Sequence, residues 1–329
     1  MMKRKAFTWT FGVAAALALA GYLALDLSPW PSALFYRAFM DRSGEAFNLA
    51  LERHVPPGVT ATLDQRYDAK DADAVLDVYS PAQPSGALPT VVWVHGGAFF
   101  AGSKGQIANY LKILAAKGYT TVSVGYSLGP TRSYPTPVLQ VNSALGYLVQ
   151  NAERLRVDPS RLFLAGDSAG AQIAAQVANA VSVPSYAGAL NLTPSIARKQ
   201  LRGVILHCGV YDLALTRLDG AFGHFMHTAT WAYSGRRDGM SAEHLSVFSV
   251  ARFVTPDFPA TFISAGNADP LLPHSRALAE ALVKQGVQVD ALFFPKDRMP
   301  PLPHEYQFIL DTDAGREALE RTVRFLSSR

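Results

Sequence analysis

Cysteine is nearly absent: Cys208 is the only one in 329 residues, which excludes an internal disulfide framework and a multi-cysteine metal site. Because disulfides are optional in oxidising compartments, that absence does not place the protein in the cytosol. Basic runs are missing as well. The chain carries 30 Lys and Arg against 26 Asp and Glu, net +4, and Lys3, Arg4 and Lys5 set against Asp26 account for half of that excess. The rest is dispersed, so nothing points to nucleic acid. Internal repeats and low-complexity tracts are also absent, while 25 Gly, 21 Pro and a 49% hydrophobic content are ordinary for a globular chain with a large core.

Charge is absent from one long stretch, AFTWTFGVAAALALAGYLAL (6–25), directly after MMKRK. Three cations before about twenty uncharged residues form an export or insertion signal. The stretch reads as a membrane anchor or as a signal peptide, for which Ala18-Leu19-Ala20 supplies a small-residue cleavage pattern; a buried N-terminal helix is the third reading. Either of the first two puts residues from about 30 onward outside the cytoplasm, an exported, periplasmic or extracytoplasmic protein touching membrane through residues 6–25 if these are retained.

The remaining chain reads as one large domain over 61–329, preceded by a helical lead-in or cap over 30–60. Leu34, Phe35, Ala38, Phe39, Phe47 and Leu51 recur there at helical spacing, a face rich enough to expect it packed. Segments 61–67 and 74–80 alternate in polarity like half-buried strands. After the loop 81–89, short apolar runs at 90–94, 120–126, 162–164, 201–207, 260–266 and 287–294 alternate with helical patterns at 107–118, 138–155, 169–181, 274–286 and 313–328. This predicts an α/β fold with a mostly parallel central sheet covered by helices on both faces, an antiparallel edge, and a helical cap insertion at about 210–250.

Ligands in such sheets bind where strands end at their carboxyl side, so residues there are inspected first. In LFLAGDSAGAQIA (162–174), two glycines bracket Ser168 between a strand and a helix, a turn tight enough to push the serine into a cleft. The helix start supplies free N–H groups and a positive dipole end. HGGAFFAG (95–102) follows the strand at 90–94, and its small residues let backbone N–H groups approach a substrate oxygen. A serine hydroxyl needs an imidazole to take its proton and a carboxylate to orient that imidazole. Asp269 follows the strand at 260–266, and His304 follows the strand at 287–294.

With HGGAFFAG, GDSAG, NADPL and the late His304, the chain resembles the α/β-hydrolase superfamily over residues 75–327, and within it the hormone-sensitive-lipase-like carboxylesterases. The resemblance implies Ser168 as nucleophile, His304 as base and then acid, Asp269 as its orienting carboxylate, and the N–H groups of Gly97, Ala98 and Ala169 as oxyanion hole. It implies a small-molecule ester substrate, a covalent acyl-enzyme and no cofactor, and the moderately small cap without a long exposed apolar lid suggests short to medium acyl chains. An amidase, an arylformamidase or an acyltransferase would use the same triad, and a non-catalytic binding module is a further alternative. Two departures stand out: Ala98 replaces the third glycine of the family's HGGG, and YSLGPT (126–131) lacks the Arg and Glu of its YRLAPE segment.

Other polar residues have plainer readings. Asp167 is expected to bond loop backbone, His95 to anchor the oxyanion loop, His207 and His274 to sit in core or capping positions, and Cys208 to pack beneath the cap. His224, His227 and His244 lack a carboxylate or thiol set for zinc. Phe99, Phe100, Phe222, Phe225 and Trp231 are candidates for the wall of an acyl pocket.

Overall fold

A computed structural model describes residues 2–83, 86–239 and 247–329, with side chains from residue 13. The chain opens with two long helices, α1 (Met2–Leu27) and α2 (Trp30–Leu51), then alternates β1 (Val59–Arg66), β2 (Val75–Pro81), β3 (Leu88–Val94), α3 (Ala108–Ala115), β4 (Thr120–Val124), α4 (Thr136–Gln150), α5 (Ala152–Leu155), β5 (Val157–Asp167), α6 (Ser168–Ser182), α7 (Pro184–Ala189), β6 (Leu201–His207), α8 (Gly220–Ser234), β7 (Thr261–Ala265), α9 (Leu272–Lys284), β8 (Val289–Phe293) and α10 (Asp313–Ser327).

The eight strands form one sheet in the order β1-β2-β4-β3-β5-β6-β7-β8. β1 pairs with β2, and β2 with β4, in antiparallel fashion; every later pairing is parallel. The apolar runs read from sequence are continuous because both faces are covered. Val92, Val94, Leu164 and Val204 pack with α4, α6 and α9 on one face. Their neighbours Val91, Trp93, Phe163 and Ile205 pack with α3 and α10 on the other. Period-two alternation thus splits one hydrophobic run between two cores.

The insertion is helical, as expected: α8 runs 15 residues through it, from Gly220 to Ser234. Glycines at 220 and 223 and β-branched Thr228 and Thr230 lower its local helix propensity. α8 is held because Ala229 and Ala232 pack with Ala33 of α2 and with Ala98, Phe100 and Ala101 in a small third core.

The lead-in departs from expectation. α2 packs on α8, but its richest apolar positions stay in solvent: Leu34 is 50%, Phe35 73% and Phe39 71% exposed, while Ala33 and Leu51 are buried. The inner side packs Ala33, Tyr36 and Met40 on the third core and is further held by polar bonds. Arg37 donates to the carbonyls of Phe100 and Gly129, Asp41 accepts from the Gly102 N–H at 2.8 Å, and Asn48 Oδ1 accepts from the Asn109 N–H at 2.9 Å. Residues 13–25 of α1 are exposed throughout. Among the described residues no single helix is long and apolar enough to cross a membrane, but Val13–Leu27 and Trp30–His54 pass that test together as a pair bent by 81°.

Candidate active site

β5 runs straight into α6 with no residue between them. Ser168 takes φ +50° at the junction, in the left-handed region. The flanking glycines are required by space as well as by turn geometry. A Cβ on Gly166 would meet the Gly170 carbonyl carbon at 2.6 Å, and one on Gly170 would meet the Val94 oxygen at 2.0 Å. The elbow therefore forms only because β3 and α6 press together across two residues lacking side chains.

Asp269 and His304 are brought to this elbow by the loops after β7 and β8. His304 Nε2 lies 3.0 Å from Ser168 Oγ, and His304 Nδ1 lies 3.0 Å from Asp269 Oδ2. Asp269 is itself fixed, its Oδ1 accepting the Leu271 N–H at 2.8 Å. Burial disfavours the charged imidazole, and Cys208, followed by the hydrogen bond and charge of Asp269, favours it, together holding His304 above its ordinary 6.5. Cys208 contributes its charge only as a thiolate, and burial pushes that thiol up to about 11.

The oxyanion segment is shaped by three successive positive φ values: Gly97 at +118°, Ala98 at +51° and Phe99 at +67°. Only glycine suits the first, where a Cβ would lie 1.9 Å from the Ala101 oxygen. Ala98 occupies the left-handed helical region that an L-residue reaches at modest cost, so the departure from HGGG is sterically absorbed. Ala169 stands in the first turn of α6, where an N–H has no partner inside the helix. Ala98 and Ala169 line the same cavity as Ser168 and His304, while Gly97 lines the adjoining one.

Asp167 and His95 brace this loop. Asp167 accepts from Trp93 Nε1 at 2.7 Å and from the Gly96 N–H at 2.8 Å. Burial, with the charge of Glu305 adding to it, pushes the Asp167 carboxyl up to about 8. His95 stacks on Tyr126 at 4.3 Å, bonds the Gly96 carbonyl at 2.7 Å, and is driven by burial down to about 4, hence neutral. His207 bonds Ser264 Oγ at 2.8 Å in the core, and His274 receives the Asp212 N–H at 3.4 Å.

Two cavities flank the serine. One, of about 180 Å³, is lined by Met40, Phe99, Ser168, Phe222, Phe225 and Leu271, among others. Phe100 and Trp231 do not line it; Phe100 packs under α2, and Trp231 meets His227 and Arg237. The other, of about 140 Å³, lies between α2 and the 95–97 loop. Met40 and Glu305 border both. Cys208 lies not beneath the cap but beside the triad, its sulfur within 4.8 Å of ligand atoms of Asp269 and His304. The reason is topological: it follows β6, the strand between those carrying Ser168 and Asp269. His224 and His227 sit on α8, and His244 lies outside the described residues. Sequence reasoning missed Glu305, whose Oε1 stands 3.8 Å from His304 Nε2, although its place directly after the histidine was a signal. Nothing local marked Met40 or Arg37, which reach the site from α2.

A serine, a histidine and an aspartate hydrogen-bonded in series at the strand ends of an α/β sheet define a serine hydrolase on the α/β-hydrolase fold. The family model BD-FAE matches residues 76–282, from β2 to α9, and the chain belongs to that family. It is 28% identical over 269 residues to the acetyl esterase of Salmonella paratyphi B, spanning 78% of this chain and 77% of that protein. Among solved structures, esterase B from Lactobacillus rhamnosis superposes with a TM-score of 0.81 at 22% identity, covering 93% of this chain and 96% of that one. A bacterial heroin esterase gives 0.70 at 22% identity, covering 88% and 92%. The chain is accordingly a serine hydrolase of the carboxylesterase type.

Proposed function

We propose that the enzyme hydrolyses carboxylic esters of short to medium acyl length through a covalent acyl-enzyme on Ser168. The observation that carries this reading is the unbroken series Ser168 Oγ, His304 Nε2, His304 Nδ1, Asp269 Oδ2, with both links at 3.0 Å. Ser168 Oγ attacks the ester carbonyl as His304 Nε2 takes its proton. Asp269 holds the imidazole by Nδ1 and stabilises its charged form. The carbonyl oxygen, now negative, is received by the N–H groups of Gly97, Ala98 and Ala169, each such donor typically lowering the barrier by about 2.7–4 kcal/mol. His304 returns the proton to the departing alcohol, and water repeats the steps to free the acid. A cavity of about 180 Å³ supports the acyl limit, since an apolar cavity of about 150 Å³ takes benzene. The name acetyl esterase on the Salmonella relative points the same way.

Residues 6–25, we infer further, hold the enzyme in a membrane with the catalytic domain on the extracytoplasmic side. Three preceding cations and the absence of charge over twenty residues support this. α1, with 26 residues at about 1.5 Å each, reaches roughly 39 Å against a hydrocarbon core of about 30 Å.

Hydrolysis of 4-nitrophenyl butanoate by the full chain and by Ser168→Ala tests the chemistry, together with the mass gained from a phosphonate ester. The reading expects turnover and a covalent adduct in the wild type and neither in the variant. A variant as active as the wild type would remove Ser168 from the mechanism.

A further inference from the structure

We propose that α2 is an interfacial helix: its outer face lies on the lipid bilayer while its inner face roofs the substrate cleft, so that the enzyme draws esters from the membrane boundary. This rests on the reading of residues 6–25 as an anchor.

The outer face is apolar by design of the sequence rather than by accident of packing. Phe35, Phe39 and Leu49, the last 66% exposed, recur with Ala38 and Ala46 along one side of the helix, with Arg42 among them and exposed Glu45 at its edge. A stripe of that kind on a long helix, with aromatics and a cation, suits an interface between acyl chains and anionic headgroups. It cannot turn inward. The Arg37, Asp41 and Asn48 bonds lock the opposite face onto the 100–109 and 129 backbone, and Ala33 is fully buried there.

The junction with α1 gives the orientation. The two helices are bent by 81°, so an α1 running along the bilayer normal leaves α2 nearly in the membrane plane. α1 stands clear of the domain over residues 13–25. Asp26, at its end, is bonded by Arg237 beyond α8, which fixes the corner. Tyr22, Leu27 and Trp30, all more than 40% exposed, carry the apolar surface continuously round the bend, with two aromatics at the level where interfaces favour them. Met40, on the inner side of the same helix, borders both cavities beside Ser168. An ester dissolved at the bilayer surface therefore lies one helix diameter from the nucleophile.

The test uses the full chain reconstituted in vesicles of phosphatidylcholine and phosphatidylglycerol. Phe35→Cys, Phe39→Cys, Leu17→Cys on α1 and Lys117→Cys on the domain surface are each labelled with an environment-sensitive fluorophore. Lipids spin-labelled near the headgroup serve as quenchers for 35, 39 and 117, and lipids spin-labelled near the acyl-chain end for 17, about 15 Å deeper. Quenching at 35 and 39 but not at 117 is the expected result. Quenching at 17 with none at 35 and 39 overturns the interfacial helix and leaves the anchor standing; no quenching at 17 removes the anchor itself. Burial of the 35 and 39 probes that follows protein density and ignores the lipid quencher assigns the face to a second copy of the chain, and also overturns the proposal. As a functional arm, Phe35→Ser/Phe39→Ser should lose about tenfold in rate on a hexanoyl ester carried in vesicles and keep its rate on soluble 4-nitrophenyl acetate. Equal retention on both substrates counts against it.

Discussion

The wall between the acyl cavity and its surroundings sets a chain-length limit that one substitution should lift. The cavity of about 180 Å³ beside Ser168 holds about six non-hydrogen atoms, by comparison with an apolar cavity of about 150 Å³ that takes benzene. With the ester carbonyl held at Ser168, the six are the carbons beyond it, which places the limit between hexanoyl and octanoyl. Each methylene buried before that limit is worth about 0.8 kcal/mol, up to about fourfold in kcat/KM. Each one beyond it gains nothing, or forces the walls apart at about 1–3 kcal/mol. Those walls are stiff, since Phe99 stacks on Tyr233 at 4.0 Å and Phe225 meets Tyr36 edge-on at 5.2 Å. Phe222 is different: it also borders a neighbouring groove of about 870 Å³ lined by Arg217, Pro270 and Arg276. Phe222→Ala should join the two spaces. On a 4-nitrophenyl ester ladder from acetyl to palmitoyl, the wild type should rise, peak near hexanoyl and fall. The variant should keep the early slope and extend past decanoyl. A wild type that handles palmitoyl as well as hexanoyl, or a variant with an unchanged ladder, would refute the argument from volume.

Asp269→Asn should lower kcat by about 10⁴. Because the hydrogen bond and charge of Asp269 favour the charged His304 imidazole and only the neutral ring accepts the serine proton, the residual activity should persist to lower pH than the wild type's, read from the acidic limb of kcat/KM. Gly170→Ala drives a Cβ to 2.0 Å from the Val94 oxygen, so it should abolish activity and cost at least the 1–3 kcal/mol of overpacking, seen as a lowered Tm; a wild-type melting curve would contradict the close approach. Asp167, held up to about 8 from an ordinary 3.8, binds a proton in the folded state that the unfolded chain has released between about pH 4 and pH 8, so its contribution to stability falls as pH rises through that window. Asp167→Asn should flatten this slope in Tm against pH, while leaving one of the two donors, Trp93 Nε1 or the Gly96 N–H, short of an acceptor at a cost of about 1–3 kcal/mol.

What could be read from sequence was what short-range chemistry dictates. Continuous β-branched runs name strands buried on both faces, and glycines at 166 and 170 name an elbow, because each constraint acts within a few residues. That Ser168, Asp269 and His304 converge was legible for the same reason: each sits just past a recognisable strand. The parts that stayed hidden depend on distant partners. The course of α8 within the cap is set by α2 and the 98–101 loop packing on it, against the low propensity of its own glycines and threonines. The inner face of α2 mixes apolar residues such as Ala33 and Met40 with polar ones, while its outer face is left apolar, since Arg37 finds carbonyls 63 and 92 residues away. No periodicity carries that information.

The topology also explains why the histidine arrives so late and by so long a path. β3, β5, β6, β7 and β8 lie in that order and run parallel, so all five release their loops along one edge. The oxyanion segment after β3 is beside Ser168 after β5 without any travel. Asp269, two strands over, needs about 10 Å at roughly 4.8 Å per strand, and the four residues after Ala265 suffice. His304 starts a third strand away, about 14 Å, and must pass outside Asp269 to approach Ser168 from the cleft side. It does so on eleven residues after Phe293, including Pro295, Pro300, Pro301 and Pro303, which stiffen the detour. Asn267 clamps that loop midway, its Oδ1 accepting the Leu302 N–H at 2.8 Å and its Nδ2 donating to the Arg298 carbonyl at 3.0 Å. The loop that carries the aspartate thus also fixes the loop that carries the histidine, and the 3.0 Å spacing between the two side chains follows from that backbone contact.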